Sequence, residues 1–151
     1  MNVVINILVF VAAAAFMEVV AWALHKYVMH GFLWVLHRDH HQTTGRKLQK
    51  NDLFALFFST LSFLLIYNGL LHRWDAMTAA GFGVTLYGIA YFTFHDIMVH
   101  RRIRAIHYKP RSRYMKRIVA AHHVHHKNRE KEGGTSFSFL YAPKKYDVQD
   151  S

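Results

Sequence analysis

The stretch that decides the fold is Asn51–Phe94, NDLFALFFSTLSFLLIYNGLLHRWDAMTAAGFGVTLYGIAYFTF. Two apolar runs, Leu53–Leu71 and Ala76–Phe94, flank the short polar turn His72-Arg73-Trp74-Asp75. Each run would extend about 28 Å as a helix, close to the thickness of a bilayer's hydrocarbon core. Asn51 or Asp52 can cap the first helix and Asp75 the second. The pair therefore reads as a membrane hairpin whose outer ends return to one side. Gly81, Phe82 and Gly83 look briefly like a dinucleotide-binding loop, but no strand precedes them and the spacing then fails. Close helix packing through Gly81, Gly88 and Ala90 is the expectation instead.

Upstream lies a third apolar run, Val3–Leu24, long enough at about 33 Å to cross a bilayer. It lacks the basic start and cleavage site of a secretory signal. It contains Asn6 and Glu18. A carboxylate at that depth either orients a ligand carried by another helix or makes a packing hydrogen bond. The 151 residues form one domain, read over 1–151. They include no cysteine, which rules out disulfides, thiolate zinc sites and Cys-ligated iron–sulfur clusters within the chain. The net charge of +10 would suit nucleic acid, but the basic residues flank apolar runs, so a bilayer is the expected partner and nucleic acid is not.

The ends of the apolar runs carry the chemistry. His25 and His30 follow Val3–Leu24, and His37, His40 and His41 stand in HRDHH just beyond. His95 and His100 follow Ala76–Phe94, and AHHVHHKN, Ala121–Asn128, supplies His122, His125 and His126. By topology all four clusters leave the membrane on the same side. That side also holds nearly all the Lys and Arg, which makes it and the C-terminus cytoplasmic. On a helix, HxxHH puts three imidazoles on one face and can give two to one metal and one to a second. HxxxxH diverges by about 140° on a regular helix and needs a helix end, a bulge or two different metals.

Ten imidazoles exceed one mononuclear site, and a structural zinc would use four ligands. Two metals of high coordination number are expected, from iron, zinc, copper or nickel. The carboxylate-bridged di-iron bundle does not fit, because Asp39 and Asp96 are the only acids in the clusters. Each is either an acceptor for the outer N–H of a ligating His or a solvated charge. His72 reads as an interfacial turn residue and His107 as a surface residue. His123, about 100° off the face of its neighbours, reads as a spare, a supporting group or a surface residue.

The segment Gly31–Leu36 is too short to span and is expected along the interface, with Trp34 at headgroup level. Gln42–Lys50 reads as a basic loop through Gly45. Pro110 breaks the basic segment Arg101–Arg117, and Arg113–Asn128 can form a helix. SFSFLYAP, Ser136–Pro143, reads as a short segment packed against the interface. The fold class is thus an all-α integral membrane protein with three transmembrane helices, a fourth helix that spans or lies on the membrane, and a di-metal site on the cytoplasmic side.

At these residues the chain resembles the bacterial β-carotene hydroxylases of the membrane fatty-acid hydroxylase superfamily. The matching stretches are MEVVAWALHKYVMHG (Met17–Gly31), HRDHH, Asn51–Gly69, YGIAYFTFHDIMVHRR (Tyr87–Arg102), KRIVAAHHVHH (Lys116–His126) and SFSFLYAP. In the last, Ser138 stands where the family usually has glycine. The family pattern HxxxxH, HxxHH, HxxxxH, HxxHH falls on the ten histidines named above, leaving out His107 and His123. The resemblance implies two ferrous ions, O2 as co-substrate, and hydroxylation of β-carotene to zeaxanthin through β-cryptoxanthin. It also implies electrons from a ferredoxin, reduced by a ferredoxin reductase, at a bacterial inner membrane. The nearest alternatives are a carotenoid ketolase or lipid desaturase of the same superfamily and, in another class, a membrane metal-binding or transport protein.

Overall fold

The computed structural model describes residues 2–42, 48–103, 105, 106 and 108–148. Among the described residues there are helices and turns and no strand. In order they are α1 (Val3–Ala23), a π-helix (Leu24–Phe32), α2 (Trp34–His41), α3 (Asp52–Leu71), α4 (Asp75–Tyr91), a second π-helix (Phe92–Val99), α5 (Arg113–Lys127) and a 3₁₀ turn (Lys144–Tyr146). The chain forms two compact units: Met1–Val20 with Asp52–Ala90, and Ala21–Asn51 with Tyr91–Ser151. Gly45 and His107, given above a loop and a surface reading, lie outside the described residues.

The first unit is apolar on its outside. Val3, Leu8 and Phe16 on α1, Phe57 and Phe63 on α3 and Ile89 on α4 are all exposed. Helices apolar all round belong in a lipid environment rather than in water. Three continuous helical stretches, Val3–Phe32, Asp52–Leu71 and Asp75–Val99, are long and apolar enough to cross a bilayer, with mean hydropathies of 2.5, 1.8 and 1.2. Neither α2, at 8 residues, nor α5, at 15, reaches that length.

Small residues let these helices touch. A Cβ at Gly83 would lie 2.5 Å from the Phe10 carbonyl oxygen and 2.8 Å from Ala13 Cβ of α1. One at Gly81 would lie 2.7 Å from Ile66 Cγ1 of α3. Gly88, expected at a contact, has nothing within 4 Å and faces outward, so Gly83 takes the role assigned to it above. Polar side chains also tie the helices of this unit together. Ser62 Oγ donates to the Gly81 carbonyl at 3.0 Å, and the Tyr87 hydroxyl donates to Glu18 Oε2 at 2.7 Å. Glu18 thus makes a helix-packing hydrogen bond, one of the two roles open to it in the sequence.

The second unit is built around imidazoles. His25, His30, His37, His40, His41, His95, His122 and His125 are all buried. The apolar cluster of Ile118, Ala121 and Ala142, with Tyr146 against it, attaches the C-terminal segment to α5. Arg113 and Arg117 bind Asp147 at 2.9 and 2.8 Å across the same seam. The Ser112 hydroxyl caps α5 by accepting from Met115 N at 3.2 Å.

Candidate di-metal centre

Both HxxxxH pairs sit on π-helical turns. The His100 N–H donates to the His95 carbonyl at 2.9 Å, and the Leu33 N–H to the Val28 carbonyl at 2.9 Å, each an i→i+5 bond. Such a turn carries one more residue than an α-turn and brings residues five apart onto nearly one face. The ring centroids of His25 and His30 are 5.3 Å apart, and those of His95 and His100 are 4.5 Å apart. Gly31, at φ −108° and ψ −125°, leaves the helical region after the first pair, and α2 begins at Trp34.

The ten imidazoles fall into two groups of five. The first cluster is His25, His30, His37, His41 and His125, and the second is His40, His95, His100, His122 and His126. Within each, five ligand atoms lie within 4.8 Å of one another. Each HxxHH helix divides two to one. The α2 helix gives His37 and His41 to the first cluster and His40 to the second, whereas α5 gives His122 and His126 to the second and His125 to the first. Exchanging His25, His30, His37, His40 and His41 with His95, His100, His122, His125 and His126 maps one cluster onto the other.

The outer ring nitrogens show which nitrogen is free inside. Nδ1 of His25, His30, His41 and His125 lies 2.7–2.9 Å from the carbonyl oxygens of Phe137, Lys131, Asn128 and Thr135. Nδ1 of His37 and His40 faces Asn51 Oδ1 at 2.6 Å and Gln49 Oε1 at 2.9 Å, and Nδ1 of His95 faces Asp96 Oδ1 at 2.9 Å. A carbonyl can only accept, so these imidazoles carry their proton on Nδ1 and turn a lone pair inward on Nε2.

The inner nitrogens then meet lone pair to lone pair. Nε2–Nε2 separations are 3.2 Å for His25–His37 and His30–His41, 3.1 Å for His37–His41, and 3.0 Å for His40–His95 and His100–His122. Two neutral imidazoles protonated on Nδ1 cannot hydrogen-bond through Nε2, so the contacts among His25, His30, His37 and His41 and between His40 and His95 fit a cation between them. Ligands about 2.1 Å from one metal are about 3.0 Å apart at a right angle and about 3.4 Å at a tetrahedral angle. The observed spacing fits the right-angle edge of a site with more than four ligands. Nε2 of His125 and of His126 are buried without a hydrogen-bond partner, as expected of atoms reserved for a metal.

Electrostatics favour the same state. Burial lowers the pKa of His37 and His100 to about 2, of His125 to about 3 and of His41 to about 4, and neighbouring imidazoles add to the fall. His122 and His126 are strongly depressed too, for the same reasons. At neutral pH these rings are uncharged, the form that binds metal.

A family model described as fatty acid hydroxylase matches residues 10–142. The chain belongs to the fatty acid hydroxylase family. Among characterised proteins, this family member is 45% identical to the beta-carotene hydroxylase of Pantoea ananas, over 91% of this chain and 78% of the relative. It is 39% identical to the beta-carotene hydroxylase of Pseudescherichia vulneris, over 96% and 81%. To that of Paracoccus sp. (strain PC1) it is 37% identical, over 90% and 83%. No solved structure matches.

The family site contains more than its histidines. Asp96 holds His95 and also faces Arg102 Nη1 at 3.6 Å. Asp39, read as either a histidine acceptor or a solvated charge, bonds to the backbone instead. Its Oδ2 accepts from the Lys50 N–H at 2.7 Å, while Gln49 and Asn51, the residues either side of Lys50, take His40 and His37. Both amides sit in a stretch read only as a basic loop and a helix cap, so the histidine partners were hidden there. Within SFSFLYAP, Phe139 stacks on His25 with centroids 5.2 Å apart, touches His95 at 5.4 Å, and meets Tyr91 at 4.8 Å. Tyr91 itself stacks on His95 at 4.6 Å. His72 and His123 are exposed.

Proposed function

We propose that this chain is a membrane β-carotene 3-hydroxylase that works as one domain, with the ten clustered histidines holding two iron ions. The observation that carries the reading is the pair of buried five-imidazole groups, each converging on one centre, in a chain 45% identical to a beta-carotene hydroxylase. The substrates are β-carotene and then β-cryptoxanthin, hydroxylated in turn at carbon 3 of each end ring, with O2 as the oxidant. Bound iron supplies oxygen reduction and oxidation of an unactivated C–H bond.

The chain's own residues do the rest. The Nδ1–H bonds to carbonyls, side-chain amides and the Asp96 carboxylate fix the tautomer and direction of seven of the rings. Buried neutral imidazoles leave the net charge of the metals uncancelled. Phe137, Phe139 and Tyr91 give the clusters an apolar wall that keeps water out and suits a hydrocarbon ring. The exposed apolar surfaces of α1, α3 and α4 match a substrate dissolved in the bilayer. With no cysteine to ligate an iron–sulfur cluster, the chain takes electrons from an external donor, a ferredoxin kept reduced by its reductase. The basic segment Arg101–Arg117 attracts such an acidic partner and anionic lipid alike. The clusters and C-terminus face the cytoplasm of a bacterial inner membrane, a sidedness that the Lys and Arg distribution supports.

The test is anaerobic loading with Fe(II), then turnover with ferredoxin, ferredoxin reductase, O2 and β-carotene. The expected products carry one and then two 3-hydroxyl groups. A ketone or a new double bond in their place, or two bound metals with no oxygen-dependent product, overturns the reading.

A further inference from the structure

We propose that Asn128 is a positioning residue for one metal only, because it closes the backbone strap that orients the first cluster. The inference rests on the di-metal reading of the two clusters. Four of the five first-cluster imidazoles take their outer hydrogen bond from a single ten-residue stretch. The carbonyls of Asn128, Lys131, Thr135 and Phe137 accept from His41, His30, His125 and His25, at 2.8, 2.9, 2.7 and 2.8 Å. The second cluster's observed acceptors are side chains from elsewhere, Gln49 and Asp96. The two centres are therefore oriented by different parts of the chain.

A strap of carbonyls orients rings only if its own path is fixed, and Asn128 fixes it. Its Oδ1 accepts from the Glu130 N–H at 3.0 Å, and its Nδ2 donates to the Glu132 carbonyl at 2.6 Å. One side chain thus closes the turn from both ends, while its backbone carbonyl takes His41. The residues beyond are shaped to match. Gly133 has φ +78°, and a Cβ at Gly134 would lie 2.9 Å from Phe137 Cζ. Ser136 has φ +59°, a left-handed conformation uncommon outside glycine, and it lies between the two carbonyls that take His125 and His25. Gln42 Nε2 adds a tie to the Arg129 carbonyl at 2.9 Å. Without the Asn128 side chain, the carbonyls from Lys131 onward lose their register toward the imidazoles, and no other observed contact replaces both of its bonds.

Cobalt(II) titration of the purified full chain in detergent micelles, followed by its visible absorption and by metal analysis, tests this. Wild type is expected to bind two ions. Asn128→Ala is expected to bind one with unchanged affinity and the other about 10–100-fold more weakly, the usual cost of losing support behind a ligand. The retained ion is assigned by a cross. His95→Ala alone keeps the first-cluster ion, and His95→Ala with Asn128→Ala loses it at the same cobalt concentration. Asn128→Asp keeps the acceptor but sets a carboxylate oxygen against the Glu132 carbonyl, so it falls on the Ala side of wild type. It carries the same test if the helical signal of Asn128→Ala is lost. Two ions at wild-type affinity in the variant, or equal weakening at both clusters, overturns the inference. A wild-type chain that binds fewer than two ions overturns the di-metal reading and the inference with it.

Discussion

The imidazole of His41 stacks on that of His126, with centroids 4.4 Å apart and planes 20° apart, although the two rings belong to different five-histidine clusters. They are also counterparts under the exchange that maps one cluster onto the other. The clusters therefore share a wall, and each depends on the ring behind it.

On the proposed di-metal reading, His41→Ala removes a ligand from the first cluster and the ring stacked on His126 of the second. Hydroxylation is expected to fall by at least about 100-fold, the upper end of what losing a group behind a ligand costs. Bound iron should drop from two ions to about one. Product analysis with metal analysis checks both. Near-normal turnover with two irons would remove His41 from the ligand set.

Asp96 separates charge from orientation. Its carboxylate accepts from His95 Nδ1 at 2.9 Å. Asp96→Asn keeps an acceptor and removes the charge, so metal affinity should fall by about 10-fold. Asp96→Leu removes both, for about 100-fold. Competition against a chelator reads the difference, and equal losses would mean that the charge does nothing for the site.

The lowered histidine pKa values set a pH dependence for the metal-free chain. In the unfolded chain these rings bind protons below about 6.5, whereas in the fold His41, His125 and His37 stay neutral down to about 4, 3 and 2. Where the unfolded state binds more protons, stability rises with pH. The stabilising contribution is therefore full above about pH 6.5 and declines as pH falls toward 4 and below. Thermal unfolding of the apo chain in micelles from pH 8 to 4 should show a flat region and then a fall. Metal loading at pH 7 should release almost no protons, which a weakly buffered indicator assay measures.

Helix packing in the first unit gives a paired control. Gly83→Ala drives a Cβ to 2.5 Å from the Phe10 carbonyl, while at Gly88 a Cβ meets nothing within 4 Å. The first should cost about 1–3 kcal/mol as overpacking. The second should be neutral or gain up to about 1 kcal/mol of helix propensity. Unfolding in mixed micelles compares them, and similar effects would contradict the observed contact.

Much of this site could be read from sequence because ligands and spans follow side-chain chemistry. Apolar runs of bilayer length gave the three long helices, and HxxHH at helical spacing gave the two-to-one division of α2 and α5. The HxxxxH pairs were legible as a problem, since a regular helix separates them. The π-turns that answer it depend on backbone hydrogen bonding, for which residues 24–32 carry no clear signature. The strap was hidden for a related reason. It acts through carbonyls, which every residue has, so nothing in EKEGGTSF distinguishes an acceptor for His30 from an ordinary loop. Gln49 and Asn51 were missed because an amide supporting a histidine looks like any polar residue at a helix start.

The crossed histidines have a mechanical consequence. His40 leaves α2 for the second cluster and His125 leaves α5 for the first, while their helix neighbours stay with the opposite centre. Neither helix can shift toward one group without pulling on an imidazole of the other. With an ion in each group, α2 and α5 would act as rigid levers joining the two.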